Sequence, residues 1–175
     1  GVLARIAGCR VVRIAGRDEK VDWLTDDLGF DAGINYETAD DLSAAVGAAC
    51  PRGVDLYFEN VGGAVSDAVL DHLTEFSRVA VCGKISLYNA DPGDEIMQGP
   101  RQLYQRTKTR VEGFIVSDHD HRFPLIEARL RRWVRDGEIQ YRETVTEGIE
   151  RAPEAFLGLF EGENLGKQLV ALGAD

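Results

Sequence analysis

Two rhythms of apolar residues alternate along the chain. Short apolar runs recur at residues 9–15 (CRVVRIA), 32–36 (AGINY), 54–58 (VDLYF), 78–82 (RVAVC) and 110–116 (RVEGFIV). Such runs predict strands buried on both faces. Between them the apolar residues fall three and four apart. Val21, Trp23, Leu24 and Leu28 mark a helix over 18–28, and further helices are predicted over about 41–49, 64–73, 102–109 and 123–135. The punctuation agrees. Asp18 can cap the first of these helices and Gly29 closes it, Asp40 or Asp41 opens the next, and Pro51-Arg52-Gly53 makes a turn. Strands alternating with helices predict an α/β fold built on a doubly wound parallel sheet.

The ends of the chain read differently. Residues 1–8 (GVLARIAG) look like the last turns of a helix stopped by Gly8, and 89–100, rich in Gly, Pro and Asp, looks like a loop. After Gly137 the grammar changes to a strand near 141–145, a helix over 153–161 and a strand over 167–172. The expected division is therefore a first unit over 1–137 and part of a second over 138–175.

Composition narrows the partners. The formal net charge of -10 argues against nucleic acid, whose phosphates need a basic face. No apolar run approaches a membrane span, and the start lacks the layout of a signal peptide. Cys9, Cys50 and Cys82 are odd in number and widely spaced, which suits a reducing cytoplasm rather than a disulfide framework.

The candidate chemistry gathers where strands end, because open parallel sheets bind ligands at their carboxyl ends. The run from Arg78 breaks at Gly83 into the polar tail Lys84-Ile85-Ser86-Leu87-Tyr88-Asn89. Arg17 and Lys20 follow the strand ending at Gly16, where a cation would meet a 2'-phosphate. Asp18 or Glu19 would instead suit a free ribose hydroxyl, and a solvated helix turn is the plain alternative. Asn60 precedes Val61-Gly62-Gly63, whose glycines let backbone approach a ligand. By itself Cys82 reads as a small buried hydrophobe. Tyr88 can donate to a carbonyl oxygen gaining charge, or be a surface aromatic. His119 and His121 alternate with Asp118 and Asp120, but the expected metal count is none.

Taken in order, several motifs resemble one family. They are Gly16-Arg17-Asp18-Glu19-Lys20, Gly29-Phe30-Asp31, Tyr36, Asn60-Val61-Gly62-Gly63, the 82–89 segment, Gly113-Phe114-Ile115-Val116 and the 161–167 segment (EGENLGK). The set resembles the NADP-dependent prostaglandin reductase, leukotriene hydroxydehydrogenase and alkenal reductase group of zinc-independent medium-chain dehydrogenases and reductases. The resemblance implies a Rossmann-type cofactor domain over 1–137, lacking its first strand and glycine-rich loop, and a return into the catalytic domain over 138–175. It implies NADP as cofactor, with Lys20 and Tyr36 at the adenosine 2'-phosphate; Gly16 and Arg17, at the strand end, are further cofactor-binding candidates. Asn60, Cys82, Gly83, Ile85, Ser86, Tyr88, Phe114, Ile115 and Val116 would contact the cofactor around its nicotinamide half, with Asn164 near the pyrophosphate or the nicotinamide. Tyr88 would be the catalytic residue, facing a small enone or enal substrate. Arg13, Arg17 and Lys84 depart from the family's usual smaller or neutral residues. With the first strand missing, two inner edges would stand open and a homodimer is expected. A non-catalytic interaction module that keeps the fold remains the alternative.

Overall fold

A computed structural model describes residues 1–87 and 101–173. Its elements run α1 (Val2–Ile6), β1 (Val12–Ala15), α2 (Asp18–Asp22), β2 (Ala32–Asn35), α3 (Leu42–Ala49), β3 (Val54–Glu59), α4 (Gly63–Leu70) and β4 (Leu73–Val81). They continue with α5 (Arg101–Thr107), β5 (Arg110–Gly113), α6 (Phe123–Arg135), β6 (Glu143–Glu147), α7 (Ala152–Phe160) and β7 (Lys167–Ala171).

Every strand pairing among the described residues is parallel. One sheet holds β1 and β2, with Ile14 opposite Ile34; a second has the order β3-β4-β5; a third pairs β6 with β7. The first two share no backbone ladder, so among the described residues β1 and β3 each keep one unpaired edge. Side chains join them instead. Ile34, Val46, Ala68 and Val69 are buried together, and Val12 and Ile14 of β1 and Val54 and Tyr57 of β3 pack on that cluster. Burying those apolar faces is what draws α3 and α4 onto both sheets. No described helix is long and apolar enough to cross a membrane.

Several boundaries move. The helix expected over 18–28 is α-helical only to Asp22 and continues as π-helical turns over Trp23–Asp27, which still bury Leu24. The residue that opens α3 is Asp41, whose Oδ1 accepts the Ala44 N–H at 2.9 Å. The helix expected to reach 73 stops at Leu70, and β4 begins at Leu73 rather than Arg78. The cause is an irregularity in the β3-β4 register, with Phe76 in the left-handed region at φ 63. The strand expected over 110–116 ends at Gly113, and a 3-10 turn follows from Val116 to Arg122. Tyr88, Asn89 and the loop to residue 100 lie outside the described residues.

Candidate functional site

The expected positions follow the carboxyl ends of five strands: Gly16 after β1, Tyr36 after β2, Asn60 after β3, Cys82 after β4 and Phe114 after β5. They form two groups.

The first group is cationic. Tyr36 is tied to β1 by its N–H donating to the Ala15 carbonyl at 3.0 Å, and its ring lies over Gly16. A Cβ on Gly16 would come within 2.7 Å of the Tyr36 hydroxyl, so a larger residue there would displace the tyrosine ring. Arg17 Nη2 donates to the Glu161 carbonyl at 2.9 Å, which brings the turn after α7 against α2. Lys20 reaches the same turn: a Cβ on Gly162 would stand 3.4 Å from its Nζ and 3.9 Å from Arg17 Nε. Burial, and then the charge of Arg17, push the Lys20 ammonium below its ordinary value. Burial, and then Glu37, push the Tyr36 hydroxyl up. Asp18 takes no part, because its Oδ1 accepts Asn35 Nδ2 at 2.6 Å. At this turn Lys20 lines the cavity, Arg17 is bonded to the Glu161 carbonyl, and the Asp18 carboxylate is engaged by β2.

Lys20 and Gly16 also line a cavity of about 680 Å³, where Asn164 joins them together with Arg13, Trp23, Tyr141 and Arg142. Asn164 Nδ2 donates to the Gly166 carbonyl at 2.6 Å, holding its own turn. Tyr36 and Asn60 are not part of that lining.

The second group is a pair of interlocked loops. The Glu59 carbonyl accepts the N–H groups of Cys82 at 2.8 Å and Gly83 at 3.3 Å. Ile85 N–H donates to the Asn60 carbonyl at 3.2 Å, and Ser86 donates to the Val61 carbonyl through both N–H (2.9 Å) and Oγ (2.6 Å). Gly62 adopts φ 81, a conformation that favours glycine. Cys82 is exposed, contrary to the buried role expected from its composition, because β4 ends one residue before it. Phe114 is anchored by its N–H on the Val81 carbonyl at 3.3 Å and by ring contacts with Phe58 and His119. Ile115 and Val116 are exposed. Among the described residues no group of His, Cys, Asp or Glu is placed to hold a metal.

The residue that sequence reading missed is Glu59. It is 1% exposed, and its Oε1 accepts the N–H groups of Val61 at 2.7 Å and Gly62 at 2.9 Å while Oε2 accepts the Tyr57 hydroxyl at 2.7 Å. The available signal was a carboxylate closing an apolar strand immediately before a glycine turn.

Comparison with known proteins places this arrangement. The family described as zinc-binding dehydrogenase matches residues 2–131. The chain is 54% identical over 172 residues to YfmJ of Bacillus subtilis, covering 97% of this chain and 50% of that protein. It is 42% identical over 177 residues to 2-alkenal reductase (NADP(+)-dependent) of Nicotiana tabacum, covering 100% of this chain and 50% of that protein. CurA from Vibrio vulnificus, solved in complex with NADPH, superposes with a TM-score of 0.90 at 38% identity, covering 100% of this chain and 53% of that one. The chain thus spans about half the length of the curated relatives it matches. It belongs to the zinc-binding dehydrogenase family, in the group of NADP-dependent oxidoreductases that its motifs resemble.

Proposed function

We propose that the chain carries the cofactor half of an NADPH-dependent oxidoreductase that reduces the carbon–carbon double bond of α,β-unsaturated carbonyl compounds. The observation that carries this reading is the convergence of Arg17 and Lys20 on the Gly162 turn, directly after Gly16, over which the Tyr36 ring lies. Two cations and a hydroxyl are the donor set a phosphate monoester requires, and a nicotinamide dinucleotide bears one only in its 2'-phosphorylated form. The likeness to an alkenal reductase and to an NADPH-bound structure supports both substrate class and cofactor.

When bound, NADPH would be the source of the hydride that the β-carbon of the substrate receives. The chain's own part is to hold the dinucleotide at both ends and to polarise the substrate. Arg17, Lys20 and Tyr36 grip the phosphate, with Gly16 beneath. Asn60, Cys82, Gly83, Ile85, Ser86, Phe114, Ile115 and Val116 line the nicotinamide end, and Asn164 closes the side toward the cavity. Tyr88 would donate a hydrogen bond to the substrate oxygen as enolate charge develops, and the α-carbon would then take a proton from water. The reading calls on no metal ligand.

On the same reading, residues 1–137 are the cofactor domain and 138–175 return to the catalytic domain. The free thiols Cys9, Cys50 and Cys82 fit a reducing cytoplasm. The unpaired edges of β1 and β3 favour a homodimer, and they equally favour the second reading, a non-catalytic interaction module. The deciding experiment follows NADPH oxidation with a simple enone in the protein as it occurs. Turnover that falls by about 100-fold in Tyr88→Phe, with NADPH affinity kept, supports the reductase. Binding without turnover in the unmodified protein supports the module.

A further inference from the structure

Glu59 closes β3 at the end of the sheet where the expected ligand positions gather, yet its side chain does not reach the surface. Its carboxylate sits beneath the Asn60–Gly63 turn. One oxygen takes the two successive N–H groups of Val61 and Gly62, and the other takes the Tyr57 hydroxyl. Burial alone would raise this carboxyl. Hydrogen bonds from Ser66, Tyr57 and the Gly62 and Val61 amides outweigh it and keep the group below its ordinary range, so the acceptor is a full anion. The opposite side of the same turn is bonded to the 82–86 loop through the carbonyls of Glu59, Asn60 and Val61. The turn is therefore clamped from both sides, and only the carboxylate side depends on a single side chain.

We infer that Glu59 is a positioning residue for the nicotinamide end of the cofactor: its carboxylate sets the Asn60–Gly63 turn, and through it the 82–86 loop, in the shape that end requires. This rests on the proposed NADPH reading. Removing the carboxylate leaves two amides without an acceptor and lets the turn rotate about the glycines, which have little steric barrier to doing so. The adenosine end is held by other elements, α2 and the turn after β2, and is left alone by the change.

That separation gives the test. Affinities for NADPH and for adenosine 2',5'-bisphosphate, which carries only the adenosine end, are measured in the unmodified protein, Glu59→Ala and Glu59→Gln. Amide hydrogen exchange of Val61 and Gly62 is followed without ligand. Expected are a loss of about 10-fold or more in NADPH affinity for Glu59→Ala, unchanged bisphosphate affinity, and faster exchange at both amides. Glu59→Gln, which keeps an acceptor oxygen, should recover most of the loss. If Glu59→Ala does not fold, Glu59→Met, similar in size and without an acceptor, is read in its place. Equal losses for both ligands would mean a general structural role and overturn the inference, as would unchanged exchange at the two amides. An unmodified protein that binds neither ligand overturns the NADPH reading instead, and the exchange result still decides whether Glu59 holds the turn.

Discussion

Lys20 shows how a single residue can be made selective. Burial and the neighbouring Arg17 both disfavour its charge, so an anion arriving between them relieves an existing repulsion. Lys20→Ala should weaken NADPH binding by roughly 1.5–3 kcal/mol, the range for a charge-assisted hydrogen bond, and leave NADH nearly unchanged. A fluorescence titration of the two cofactors checks this, and equal losses would remove Lys20 from the phosphate site. The sign of the pH effect follows from the same shift. Because the folded value lies below 10.5, the ammonium is lost at a lower pH than an ordinary lysine's. NADPH affinity should therefore begin to fall at that lower pH, and Lys20→Arg should flatten the profile. Lys20 could be singled out from sequence because a cation after a strand end is a local feature, and Tyr36 because it matches a family motif. Glu59 was not, because its partners Val61, Gly62 and Tyr57 reveal a role only when the strand end curls over the carboxylate.

Among the elements, α3 depends most clearly on one cap. Asp41 has extended backbone and its side chain satisfies the Ala44 N–H, one of the donors that a helix start leaves open. Asp41→Ala should lower stability by about 1 kcal/mol, and Asp40→Ala by little, in chemical denaturation. Sequence periodicity located α6 to the residue, because Pro124 and Gly137 bracket a long amphipathic run. It misjudged β4, whose first half (LTEFS) does not resemble a buried strand. Leu73 and Ser77 are buried there but Glu75 and Phe76 are exposed. Phe76 holds its left-handed backbone under the Lys108 ammonium, which lies 4.7 Å from its ring centroid and also pairs with Glu75. That tertiary support comes from a residue 32 positions away and has no local signature.

At the scale of the molecule, strand alternation was enough to predict a parallel α/β sheet, and the ladders bear this out. The open edges have a consequence for association. Leu56 and Phe58 of β3 are each 62% exposed, and an unpaired edge beside apolar side chains is a template for a second chain. Sedimentation of the purified chain should show a dimer, while a monomer across the micromolar range would refute self-association. The joint between the first two sheets also bears on how the fold comes apart. Hydrogen-bonded ladders make neighbouring strands melt together, but among the described residues β1-β2 and β3-β4-β5 share no ladder and are coupled through the packing around Val46, which is 2% exposed, and the Ser43–His72 hydrogen bonds. Val46→Ala should weaken that packing by about 2 kcal/mol. Its effect should be seen less in the midpoint than in cooperativity, as a single calorimetric peak separating into two with each sheet melting on its own.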